Sequence, residues 1–592
     1  VENMKGTGYS GYMRWKEEFS HIIGPSGSMK EAQSKVLDFY ESFNDIKNRM
    51  PSVNGNWTEL GPKFLPTNID SLKNYAGIGR IHAVAFNPNN ANHVFAMSPT
   101  GGLFYSLDGG NTWNNGHTDS MKIVGVSYLV VDPQNSSRWY IGTGDCDGAS
   151  VNWCMNTSDG VYRTEDMGVT WVQIFDTSLF YRPNRVRKLL MHPTNNNILF
   201  TVTDTAIYKT TNATAANPIW NRVCSGSFND LHYRPGNNDT MYASGYYGSK
   251  LLVSTNGGDS FSLIPNTPFR DTTNIMIEFS PANPDLLFIT ECYDTIQLHI
   301  LNLYTNQWIS RGWVKYLENN YTNYLYNIAK GFAVSPTNAN SIYIGDCYGN
   351  LIVHSSDQGL TWTPMDGNYH MDIHHLLYSP SGELWAGTDG GISKLTTSGW
   401  INKTSNIGVA NLHYIAGAAT DSNLVLMGAY DIGCNMLDKK QQDIDRWTAY
   451  NIGDGTSCAF DNHDKNRFYV AGQSGKYIKR TDDFGQHFTD ISQFDETDFF
   501  TCLKLSPIVD STVYLVALFD VYRSRELGND NTWHPITTGI TMHDTLKHFY
   551  KLYTSPNNAD VMYMRDLATK WEPQRWFKTT NANNSDPNTV TW

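Results

Sequence analysis

The chain has 592 residues, 40% hydrophobic and 13% aromatic, which excludes an intrinsically disordered polypeptide. Only 17% are charged, and 57 Asp and Glu against 44 Lys and Arg leave a net charge of −13. Duplex nucleic acid and anionic membrane surfaces both require a dense basic footprint, so neither is expected as a partner.

The chain opens on Val1 with no apolar leader, as a processed product or a chain that begins partway in would. Within residues 1–55, Val36, Leu37, Tyr40 and Phe43 recur at helical spacing, with Ser26 or Ser28 placed to cap the start. This predicts a short helical lead-in packed on the body of the protein. No apolar run reaches the ~18 residues of a transmembrane helix.

From residue 56 onward one motif returns. Ser106–Trp113 reads S-x-D-x-G-x-T-W, repeated at Thr164–Trp171 and Ser355–Trp362, with weaker copies at Ser254–Phe261 and Thr481–Phe488. Between copies stand apolar runs ending in a polar–Pro pair, such as Ala83–Pro88, Tyr128–Pro133, Leu189–Pro193, Ile277–Pro281 and Phe332–Pro336. The aromatics closing each unit, from Trp57 to Trp592, are on average about 49 residues apart, and each interval holds about four short apolar stretches. Four strands per unit of ~40–50 residues is the arrangement of β-propeller blades. The predicted fold is therefore all-β. About eleven blades exceed one ring of 4–8 blades, so two propellers are expected, at 56–366 and 367–592, with either the Trp57–Pro62 strand closing the ring or the native chain continuing beyond 592; a single ten-bladed ring is the alternative. In each motif the Asp can accept backbone N–H bonds while Gly takes positive φ. Asp108, Asp166, Asp357 and Asp483 are thus read as turn-builders, with Trp113, Trp171 and Trp362 packing between blades.

Other clusters carry chemistry. Asp145 and Asp147 stand with Trp153 in an insertion, where carboxylates beside an aromatic suit a structural Ca²⁺ or a sugar; a solvated loop held by a Cys146–Cys154 bridge is the alternative. Asp389, Asp431 and Asp454 each follow an apolar strand beside Gly, as converging acid–base carboxylates or as turn caps. His370, His374 and His375 lack metal-site spacing, and as a strand would place His370 and His374 on one face and His375 on the other, so no metal centre is expected. Tyr321, Tyr324, Trp571 and Trp576 are aromatics of the kind that stack on sugars or pack between blades. The eight cysteines include no Cys-x-x-Cys, and buried thiols are as consistent as disulfides.

Asn56–Pro62, Gly79-Arg80-Ile81, Gly11–Lys16, Gly387–Ile392, Ala429–Gly433 and Gly453-Asp454-Gly455 together resemble the sortilin-like (VPS10-type) propeller proteins secreted by Bacteroidetes. The resemblance spans about residues 55–592 and implies an Asp-box propeller, export by the type IX secretion machinery, and a secreted or cell-surface location. The repeat is similar, more distantly, to tandem-propeller xyloglucanases. Their pattern places a catalytic Asp before the first-blade Gly-Gly, where this chain has Ser98-Pro99-Thr100. A sialidase Arg-Ile-Pro is met only by Arg80-Ile81-His82. Two functions are consistent with these features: a propeller binding protein for a protein or glycan ligand, without cofactor, or a glycoside hydrolase on a β-glucan in a cleft between two propellers. In the second, Asp389, Asp431 and Asp454 are the catalytic candidates.

Overall fold

The computed structural model describes residues 59–592, apart from 67–76, 146–157, 178–184, 246–249, 271–273, 293–294, 319–330, 346–350, 368, 441–446, 451–452, 473–477, 492–501, 517–519, 538–539, 541–548 and 567–574. The expected helix near Val36, together with Asp147, Trp153, Tyr321, Tyr324, Trp571 and the Cys146–Cys154 pair, lies outside the described residues.

Among the described residues eleven antiparallel sheets succeed one another, ten of four strands and one of three. We number them blades 1–11. Their innermost strands are Ala83–Asn87, Val126–Asp132, Val186–Met191, Phe228–Arg234, Asn274–Ser280, Gly331–Val334, Ile373–Tyr378, Leu412–Ala418, Gly455–Phe460, Cys502–Leu505 and Phe549–Thr554. Both faces of a blade pack on neighbours, so the second strands carry continuous buried runs instead of alternating polarity. Leu199–Thr203 and Phe468–Gly472 are buried at every position.

Two compact units emerge, one of residues 80–409, the other of residues 410–592 with the stretch that ends at Gly79. The first unit holds blades 1–7, and their innermost strands pack in succession until that of blade 7 meets that of blade 1. The backbone N–H of Ile81 donates to the Thr388 carbonyl at 2.9 Å, and that of Val84 to His375 Nδ1 at 3.1 Å, closing this ring of seven. The division therefore falls between Val409 and Ala410, not at 366/367 as the sequence spacing suggested. An intact blade 7, needed to complete the ring, lies between those two points. The second unit holds blades 8–11.

Each repeated turn is built from its own residues. The Asp108 carboxylate accepts from the backbone N–H of Asn111 and Thr112 at 3.0 and 2.9 Å and from the Thr112 hydroxyl at 2.7 Å, while Ser106 Oγ accepts from the Gly110 N–H at 2.8 Å. Asp166 and Asp357 repeat the pattern, and at Asp483 His487 replaces the Thr. These bonds, led by the one from the Thr112 backbone, hold the Asp108 carboxyl down at about 2. The positive φ at Gly110, 79°, is accompanied by close packing: a Cβ there would lie 2.9 Å from Trp385. Trp113 and Trp362 are buried, whereas Trp171 is only half-buried.

Candidate functional site

In the ring of seven, the second strands of all blades end on the same side. Acidic side chains gather there. Asp145 follows the strand Asn135–Thr143, Asp204 follows Leu199–Thr203, Glu291 lies near the end of Asn283–Cys292, and Asp389 follows Leu384–Thr388. Each meets a basic partner. Arg185 and Arg187 both reach Asp204 through Nε at 2.6 Å, and Arg270 and His299 hold Glu291 at 3.2 and 3.1 Å. Burial pushes the Asp204 carboxyl up, but the two guanidinium groups outweigh it and bring it to about 2.

Arg80 joins two of these acids. Its Nη1 lies 3.1 Å from Asp145 Oδ2 and its Nε 3.3 Å from Asp389 Oδ1, while His374 Nε2 lies 2.7 Å from the same Asp389 oxygen. Asp145, Asp389 and His374 are all buried. The planar guanidinium suits this bridging role, because it offers several donors in fixed directions.

Two sequence candidates from separate clusters, Asp145 and Asp389, are thus brought together by Arg80, which the sequence marked only within Gly79-Arg80-Ile81 and Arg80-Ile81-His82. The expected trio divides between the two units. Asp431 and Asp454 belong to the second unit, where the Asp431 N–H donates to Asp454 Oδ1 at 3.0 Å, and Asp431 has φ 61° at a turn. Asp454 is buried and braces that turn. Nor do the three histidines share one strand. The strand begins only at Ile373, and His370 precedes it, with Nδ1 3.0 Å from the Met371 carbonyl. His374 and His375 serve Asp389 and the Val84 N–H separately. The described cysteines 224, 292, 434, 458 and 502 are free thiols.

Further along the innermost strands lies a second polar group. The Lys188 ammonium pairs with the Asp230 carboxylate, lies 2.7 Å from His232 Nε2, and sits 5.9 Å from the centre of the Tyr128 ring. Glu278 Oε1 is 3.8 Å from His232 Nδ1. Burial alone would lower the Lys188 pKa, but Asp230 carries it above its ordinary value. Burial raises the Glu278 carboxyl. Sequence reasoning missed this network; its signal was the presence of Lys188, Asp230 and His232 among the buried apolar positions of two innermost strands.

Similarity to solved structures agrees with this architecture. A GH74 xyloglucanase from Xanthomonas campestris aligns over 85% of this chain and 86% of its own, with a TM-score of 0.55 and 12% identity. A GH74 enzyme from Niastella koreensis aligns over 88% of this chain and 86% of its own, with a TM-score of 0.46 and 16% identity. No family model and no curated protein matches the sequence. At such identity the xyloglucanase likeness establishes the fold, and the chain is a β-propeller protein. No helix among the described residues is long and apolar enough to cross a membrane.

Proposed function

We propose that this is a secreted or cell-surface propeller protein that binds a glycan or protein ligand on the side of the seven-bladed ring where Arg80, Asp145, His374 and Asp389 meet. The observation that carries the reading is the Arg80 bridge. Acid–base hydrolysis of a glycoside needs one carboxyl to give a proton and a second to act as base or nucleophile. Here both acids near Arg80 are engaged by a guanidinium, and the first-blade turn carries Ser98-Pro99-Thr100 with no carboxylate. Export as a type IX secretion cargo rests on the sortilin-like sequence resemblance. The β-glucan hydrolase reading is the second, favoured by the likeness in fold to a xyloglucanase, which makes xyloglucan the first glycan to try.

A glycan array run beside a polysaccharide-hydrolysis screen separates the two. Binding without release of reducing ends is expected. Cleavage of xyloglucan or another β-glucan that disappears in Asp389→Ala would replace the binding reading with the hydrolase one.

A further inference from the structure

Blade 5 of the seven-bladed ring departs from its neighbours in its outer part. Its outermost strand, Gln307–Glu318, has 12 residues, whereas those of the other six blades have two to six. In blade 3 the outermost strand stops at Ser225, whose register matches that of Trp313; in blade 5 it continues from Val314 to Glu318. This added length lies at the end where the second strands finish, the side on which Asp145, Asp204, Glu291 and Asp389 stand.

The extension is not a plain strand. Gln297 pairs with Trp313 and Thr295 with Glu318, so the four residues Val314–Leu317 bulge from the ladder. Val314 and Leu317 are buried in the core shared by blades 5 and 6, while Lys315 and Tyr316 between them are exposed. Tyr316 is held at φ 74°, a left-handed value that is unfavourable for a bulky side chain and persists only where its surroundings impose it. Two buried anchors impose it here. The result is an aromatic ring displayed to solvent, 44% exposed, with the Lys315 ammonium 5.0 Å from its centre.

Trp313 is the second displayed aromatic, 63% exposed. Glu291, Gln297 and Trp313 stand opposite one another on the second, third and outermost strands, so their side chains share one face of the sheet, the face turned towards blade 4. In the amide orientation that satisfies both donors, the Gln297 side-chain oxygen accepts from Trp313 Nε1 at 3.2 Å and from Arg270 Nη2 at 3.0 Å. Arg270 is held in turn by the buried Glu291 carboxylate at 3.2 Å. The edge of the indole is thereby tied to a buried charge through two planar side chains. Its orientation is fixed before any ligand arrives, which lowers the cost of binding one.

We propose that Trp313 and Tyr316 form a sugar-stacking platform whose ligand is a β-glucan chain. This rests on the glycan form of the proposed function and supplies side chains that would grip the sugar rings. A β-linked glucose unit carries its hydroxyls around its edge and C–H groups on both faces. The faces pack on exposed aromatic rings while the edge meets donors and acceptors. Arg270 and Gln297 stand beside one ring and Lys315 beside the other to provide them. A peptide is the less suitable occupant, because adding a strand to the sheet edge needs a regular row of N–H and C=O groups, and the bulge interrupts it.

Isothermal titration calorimetry of the 592-residue chain with cellohexaose and with a xyloglucan oligosaccharide tests this. Trp313→Ala is expected to weaken binding at least about tenfold, and Trp313→Phe, which keeps an aromatic face, to weaken it less. Both should melt close to the wild-type temperature, since the side chain is exposed. Tyr316→Gly removes an aromatic face and releases the positive φ together, so it should weaken binding while the melting temperature holds or rises. Wild-type affinity retained in both Trp313→Ala and Tyr316→Gly would overturn the platform and leave the glycan reading standing. A wild-type chain that binds neither oligosaccharide would overturn the platform together with the glycan reading for β-glucans. Binding lost only alongside a clear drop in melting temperature would assign both residues to structure, and the platform would fall.

Discussion

The indole Nε1 of Trp113 donates to the backbone carbonyl of Lys403 at 2.9 Å, linking the first blade of the seven-bladed ring to the outer strand of the last. Residues 290 positions apart in sequence are held together by one buried side chain. This contact fastens the ring shut, so its loss should be felt by the whole unit.

Trp113→Phe keeps much of the ring volume but removes the donor, and should cost about 1 kcal/mol. Trp113→Ala should cost about 3–5 kcal/mol through the cavity it leaves. Trp171 makes the equivalent bond to Gly116 but is only half-buried, so Trp171→Ala should cost less than Trp113→Ala. Denaturant titration ranks the three; an unchanged midpoint for Trp113→Ala would contradict the interblade role.

Gly110 combines φ 79° with the Trp385 ring so placed that an added Cβ would lie 2.9 Å from it. Gly110→Ala should therefore destabilise by about 1–3 kcal/mol, from backbone strain and overpacking together. Gly236 has φ 77° with nothing within 4 Å, so Gly236→Ala isolates the backbone part and should cost less. Equal losses would show that the Trp385 contact yields freely.

Stability should fall in two stages on acidification. Burial beside Phe95 and Trp139 pushes the His93 pKa from 6.5 down to about 4. The unfolded chain takes up that proton first, so the contribution is complete above pH 6.5 and lost as pH falls towards 4. The turn carboxyls of Asp108, Asp357 and Asp483, held at about 2 by hydrogen bonds within their turns, add stability present above their unfolded pKa of ~3.9 and lost as pH falls towards 2. Thermal melts across this range should show a shallow decline and then a steeper one. His93→Phe should reduce the slope of the upper part, to which His413, pushed down to about 3 by burial, also contributes; a slope there identical to wild type would assign it to His413.

Arg80→Gln removes the guanidinium from between two buried carboxylates. Leaving Asp145 and Asp389 without it should cost about 3–5 kcal/mol, as breaking a buried ion pair does. Combining Arg80→Gln with Asp389→Asn should recover part of that loss, because one uncompensated charge is then gone. Purely additive effects of the two substitutions would mean that the bridge is not energetically coupled.

With a net charge of −13, the protein should pass through heparin resin at physiological salt and fail to shift duplex DNA. Retention at that salt would reveal a basic face that the acidic total conceals.

The repeat was legible in the sequence because its causes are local. The Asp of S-x-D-x-G-x-T-W satisfies N–H groups three and four residues on, and short strands between Gly, Asn and Pro turns follow from apolar spacing alone. From these the all-β propeller class and the number of sheets could be read without any partner in space. Where one ring ends could not, because closure depends on blade 7 meeting blade 1, and nothing near residue 409 marks it. Likewise Asp145 and Asp389 could be noticed singly, but not as one group, since it is Arg80, 65 positions from Asp145, that brings them together. The pairing of Trp447 with Leu60 across 387 positions belongs to the same class. Side chains that act within a turn carry their reason in the adjacent residues, whereas those that bridge blades acquire it only when the ring forms.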